Sequence, residues 1–154
     1  MTKAQLQVEA FKALVTRKAP VSYECDDGDV YITVDGCSAF AVPKQDVCID
    51  MPKMYHMPSL RNLFALSDGY VEAELTKRCA KFNTNGGILR EYRARDDASK
   101  KVWVQESLMK RYRSEEFTAY IWNALDAVKF VNVVTGKVDH IILPVRVREE
   151  IKND

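Results

Sequence analysis

The stretch DHIILPVRV, Asp139 to Val147, is an apolar strand that runs into a proline and then an arginine. Proline has no N–H to give to a sheet ladder, so Pro144 belongs at the end or edge of a strand. Two further strand-like runs precede it, FTAYIW from Phe117 and AVKFVNVV from Ala127, and Thr135-Gly136 supplies the turn into the last run, KVDHIILPVRV. Three such runs joined by short polar turns read as an antiparallel meander. The proline then marks where the last ladder stops.

The same reading extends to the N-terminus. The segment TKAQLQVEAFKALVTRKAP predicts a helix that Pro20 stops. Thr2 and Gln5 have capping-box spacing, in which each side chain satisfies an end N–H of the other residue. Leu6, Ala10, Phe11, Leu14 and Val15 recur at helical period and form the expected apolar face, opposite Lys3, Gln7, Lys12 and Arg17. VSYEC, VYITV and CSAFAVP follow as a first meander, punctuated by DDGD and by Asp35-Gly36, a strong hairpin signal.

From Pro43 to Ser67 the pattern loosens into a loop with Met51, Met54 and Met57, within which Ser59 is placed to cap a short helix. Two long strands, YVEAELTKRCAKFN and GGILREYRARD, join through the turn NTNGG. A short strand at VWV and a helix over ESLMKRY come next, the helix presenting Leu108, Met109 and Tyr112. Helices and strands in this order predict an α+β domain of antiparallel sheets with two helices on one side, each helix leading an α-βββ half. The expected domain is 1–147, with a charged tail over 148–154.

Composition narrows the function classes. The chain has 154 residues, 47% hydrophobic and 29% charged, with a net charge of +1. That is the profile of a globular domain large enough to bury a core, and not of a disordered chain. No apolar run approaches the roughly 18 residues of a membrane span, and the N-terminus lacks a signal-peptide core, so a cytoplasmic protein is expected. A charge near neutrality confines any nucleic-acid contact to local basic clusters. Cys25, Cys37, Cys48 and Cys79 form no CxxC pair and have no histidine at ligand spacing, so buried free thiols are expected and no metal site. His56 and His140 read as structural.

Catalytic signatures are missing. NTNGG leads into no helix and is not a phosphate loop, and neither GxSxG nor HExxH occurs. The pairs Asp26-Asp27 and Asp96-Asp97 lie in turns, where aspartate caps backbone donors. No enzyme and no cofactor are expected. Tyr92, Trp103, Tyr112, Tyr120 and Trp122 occupy core-like strand and helix positions. Arg90, Arg93 and Arg95 make the second long strand unusually charged. It reads as a solvated outer strand, a phosphate-contacting edge or a partner-binding surface, in that order.

The C-terminal third resembles the end of a bacterial DNA polymerase sliding clamp. VWVQESLMKRY is similar to the strand entering that family's second helix, AVKFVNV to its penultimate strand, and IILPVRV to its hydrophobic-Pro-hydrophobic-Arg-hydrophobic close. The resemblance implies a non-enzymatic clamp-like binding protein of DNA replication or repair, and the chain's size suggests a phage or mobile-element version. It implies loose phosphate contacts by Lys12, Arg17 and Lys18 on the first helix and by Lys110, Arg111 and Arg113 around the second. It also implies that Ile141, Leu143, Pro144 and Val145 help grip short peptides of partner proteins. A clamp chain carries three such domains and this one carries a single domain, so a ring would be a homo-oligomer of roughly six copies. The chain also adds Arg148 to Asp154 beyond the family's end. A second reading has the same scaffold inhibiting a bacterial enzyme or defence nuclease through its charged RARDD hairpin, with Arg90, Arg93 and Arg95 as contact residues, and through the Met-rich loop of Met51, Met54 and Met57.

Overall fold

A computed structural model of the chain describes residues 1–16, 22–25, 28–33, 35–49, 60–82, 87–112 and 116–147. The helices are α1 (Lys3–Thr16), α2 (Leu60–Leu63) and α3 (Glu106–Arg111). The strands are β1 (Ser22–Cys25), β2 (Asp29–Thr33), β3 (Ser38–Pro43), β4 (Val71–Lys81), β5 (Ile88–Ala94), β6 (Lys101–Gln105), β7 (Phe117–Ile121), β8 (Val128–Asn132) and β9 (Val138–Ile142). The mixed α+β class and the order of elements follow the sequence reading.

The expected separate sheets are one sheet instead, ordered β1-β2-β3-β9-β8-β7-β4-β5-β6 and antiparallel throughout. Three local meanders fuse because β3 pairs with β9, placing Phe40 opposite His140, and β4 pairs with β7, placing Ala73 opposite Ala119. Strands left at a meander's edge expose unpaired backbone groups, and edge-to-edge pairing removes that exposure.

The residues of α1 and α3 enter one core: Leu6 and Ala10 from the first, Leu108 from the second, over Val30, Ile32, Phe40, Val104, Val128 and Ile142. The opposite face of the sheet packs a smaller cluster of Tyr31, Ala39, Phe64, Val138 and Ile141, where Phe64 stacks on Tyr31 at 4.4 Å just beyond α2. Alternation along β2 and β3 divides their side chains between the two clusters, as period-two geometry requires.

At the start of α1 the capping box is formed, with Thr2 N–H donating to Gln5 Oε1 at 2.8 Å and Gln5 N–H to Thr2 Oγ1 at 3.2 Å. The buried face of this helix differs from the expected one. Gln7 is fully buried, while Phe11 and Val15 are 43% and 65% exposed. Gln7 tolerates burial because its amide is satisfied on both sides, donating to Asp46 O at 3.1 Å and accepting from Cys48 N–H at 2.8 Å. That clasp ties α1 to the 3₁₀ turn Lys44–Asp46 and rotates the helix away from a purely apolar contact.

Further departures have local causes. Cys37, Cys48 and Cys79 are exposed rather than buried, each on a turn or on the outward side of a long hairpin; the side chain of Cys25 lies outside the described residues. Trp122 is 44% exposed at the β7–β8 turn instead of occupying the core. Gly36 does adopt positive φ, 74°, in a turn where Asp35 Oδ1 accepts both Cys37 N–H and Ser38 N–H at 2.8 Å. Pro20, the three loop methionines, most of NTNGG and the tail from Arg148 lie outside the described residues.

Two bulges reset the side-chain phase. In β4, Thr76 to Arg78 face the single residue Glu91 of β5 between the pairs Leu75–Tyr92 and Cys79–Arg90. In β9 an extra residue, Asp139, sits between partners of Phe130 and Val131. Neighbours on a regular strand point to opposite faces; a bulge re-aims one of them, so Asp139 and His140 meet, with Nδ1 of His140 3.0 Å from Asp139 Oδ2.

Candidate functional site

Past β9 the chain leaves its ladder in two steps. Leu143 N–H donates to Cys37 O at 2.8 Å, at the foot of β3. Val145 N–H then donates to Trp103 O at 2.8 Å, forming an isolated antiparallel bridge to β6, the far edge of the sheet. Pro144 stands between these two donors, at the position where the segment crosses from one strand to the other and needs no N–H. The bridge curls the sheet so that its last strand returns to the end of β9.

That closure shapes an apolar cleft of about 310 Å³ lined by Trp103, Ala124, Leu125, Val145 and Val147, with Lys101 and Arg146 at its rim. Leu125 is 58% exposed, held outward in the β7–β8 turn. Asn123 fixes that turn by accepting Leu125 N–H at 2.8 Å and Asp126 N–H at 3.0 Å on its side-chain oxygen. Trp103 is 6% exposed, and among the described residues its buried indole N–H has no acceptor. Lys101 and Arg146 have no ion-pair partner among the described residues.

The peptide-contact residues expected from sequence divide between surface and core. Val145 lines the cleft, Leu143 is partly exposed beside it, and Pro144 is half-buried. Ile141 lies 2% exposed in the second core cluster, facing Ala39 and Phe64 rather than solvent. Trp103, Leu125, Lys101, Arg146 and Val147 are cleft residues that sequence reasoning did not select. The one local signal was NALD, Asn123 to Asp126, an apolar residue inside an aspartate- and asparagine-capped turn.

Those of the expected basic residues that the structure describes are engaged by carboxylates. Lys12 pairs with Glu9 at 3.5 Å, Lys110 with Glu106 at 2.8 Å, and Arg111 with Asp35. The Lys110 ammonium, through its hydrogen bond first and with help from Arg90, holds the Glu106 carboxyl below its usual range. The amino group of Met1 donates to Arg111 O at 3.1 Å, so the start of α1 abuts the end of α3. Arg17, Lys18 and Arg113 lie outside the described residues. Arg90 pairs with Glu106 at 3.5 Å and donates to Thr76 O at 3.0 Å, closing the β4 bulge. Arg93 reaches Glu91 at 2.8 Å and Arg95 reaches Glu72 at 3.6 Å. Charges paired in this way project a weaker field than their count suggests.

Among the described residues no helix is long and apolar enough to cross a membrane, and no group of three or more His, Cys, Asp or Glu side chains is placed to hold a metal ion. Comparison with family profiles, with characterised proteins and with solved structures returns no match.

Proposed function

We propose that this chain is a non-enzymatic, sliding-clamp-like binding protein of DNA replication or repair, which grips a short apolar peptide of a partner protein beside its closing segment. The cleft at the Trp103–Val145 bridge carries the reading: it is apolar and adjoins the IILPVRV close. An extended peptide would lay apolar side chains against Leu125, Val145 and Val147. Lys101 and Arg146 at the rim favour acidic residues flanking the apolar ones. Arg90, Arg93 and Arg95, the contact residues of the inhibitor reading, are each paired with a carboxylate of the same chain. Any DNA contact through Lys12, Lys110 and Arg111 competes with their internal partners and is loose and sensitive to salt.

The test is fluorescence polarisation with labelled peptides that bind bacterial sliding clamps. Binding in the micromolar range is expected, with at least a tenfold loss in Leu125→Asp, a substitution at an exposed turn that leaves the core intact. Absence of binding at low salt, or undiminished binding by the variant, would sink the proposal. Light scattering of the same sample separates a ring of several copies from a monomer that uses the cleft alone.

A further inference from the structure

Beyond Ala73–Ala119 the strands β4 and β7 no longer pair. A cavity of about 360 Å³ opens there on the helical face, within the range of small-ligand pockets.

Aromatic rings form part of its walls. Tyr92, Met109, Tyr112, Phe117, Phe130 and His140 line it, while Glu74 and Arg95 stand among its polar lining residues. His140 is 2% exposed, and its imidazole is sandwiched between Tyr112 at 4.5 Å and Phe130 at 4.4 Å, with Phe117 edge-on at 4.8 Å. These walls are fixed. Tyr112 shares a 2.8 Å hydrogen bond with Ser38, which is itself bonded to Asp35, and Tyr92 packs edge-to-face on Phe130 at 5.6 Å.

The chemistry of the imidazole is also fixed. Asp139 is held by Lys3 at 3.0 Å and accepts from Nδ1 of His140, which assigns the ring proton to Nδ1. Burial keeps the imidazole neutral by lowering its pKa, outweighing the opposing pull of Asp139. Nε2 is then a lone-pair acceptor, and it has no hydrogen-bond partner among the described residues.

We infer that this cavity is a binding site for a small planar aromatic molecule that carries a ring N–H or O–H, of the indole or phenol class, with its donor on His140 Nε2. The ring packs beside Tyr92, Phe117 and Phe130, and the donor supplies Nε2 with a partner that it lacks among the described residues. This site lies on the helical face and is independent of the cleft at Trp103.

Indole and indene have nearly the same shape, but only indole carries the N–H. Titration of the intact protein followed by NMR should show both probes shifting the ring resonances of Tyr92, Phe117 and Phe130. Indole should bind about tenfold more tightly and should alone shift the His140 imidazole nitrogens. In His140→Phe the preference for indole should fall to near one while indene still binds. Equal affinity of the two probes for the wild-type protein, no binding of either, or shifts confined to Trp103 would each overturn the inference. The wild-type comparison decides the matter even if the variant does not fold.

Discussion

Replacing Glu91 by glutamine removes the one charge around which the β4–β5 hairpin is organised. The carboxylate is fully buried and accepts from Arg78 at 3.0 Å, from Arg93 at 2.8 Å and from the Thr76 hydroxyl at 3.1 Å. The bulge that sets Thr76 to Arg78 opposite Glu91 exists to make these contacts together. Glutamine keeps one acceptor oxygen but turns an amide NH₂ toward the second guanidinium, donor against donor. Breaking a buried ion pair from one side costs about 3–5 kcal/mol. Here the arginine side chains are 41% and 32% exposed and regain hydration, so about 2–3 kcal/mol is expected. For a chain of this size that is a fall in Tm of roughly 5–10 °C. Urea unfolding followed by tryptophan fluorescence measures it, since Trp103 lies opposite Glu91 on β6 and under the Arg78 guanidinium at 5.7 Å. A double-mutant cycle with Arg93→Gln should give a coupling of at least about 1 kcal/mol. A loss below about 0.5 kcal/mol, or additive single substitutions, would refute the claim that this network holds the hairpin.

His140 predicts how stability depends on pH. Burial lowers its pKa below the ordinary 6.5, so as pH falls the unfolded chain takes up the proton first. Its contribution is complete above pH 6.5 and is lost below it, with a slope approaching about 1.4 kcal/mol per pH unit. Asp139 is pushed up by burial, but the His140 hydrogen bond and Lys3 together leave its carboxyl below 3.8, which adds a second decline in stronger acid. Urea midpoints from pH 7.5 to 4.5 should show the first decline in wild type and not in His140→Phe. The exposed thiols give a test of reactivity. Burial and then Asp35 raise the pKa of Cys37, so maleimide labelling at pH 7.5, read by mass spectrometry, should modify it more slowly than Cys79; a faster Cys37 would contradict that account.

The legible part of the fold was local. Each meander announced itself through alternation and through turns such as Asp35-Gly36 and Thr135-Gly136, and the capping box at Thr2 and Gln5 was readable as written. Pro144 was readable as a strand terminus, since a missing N–H is a property of the residue and not of its surroundings. The burial of Gln7 was not readable, because its acceptor at Asp46 and donor at Cys48 come from a turn some forty residues away. The pairing of adjacent Asp139 and His140 was hidden for another reason: strand alternation predicts opposite faces, and only the bulge brings them together.

By itself, then, the order of residues determined the strands, their turns and the class of the domain, because these depend on contacts a few residues long. The tertiary structure alone decided that three meanders become one sheet, that Val145 bridges to Trp103, and that the basic residues of the helices face carboxylates. Both candidate pockets arise from those long-range choices. One forms where the closing segment reaches the far edge of the sheet, and the other where β4 parts from β7. Edge pairing and the parting of strands are properties of the assembled sheet, and no single segment of the chain encodes them.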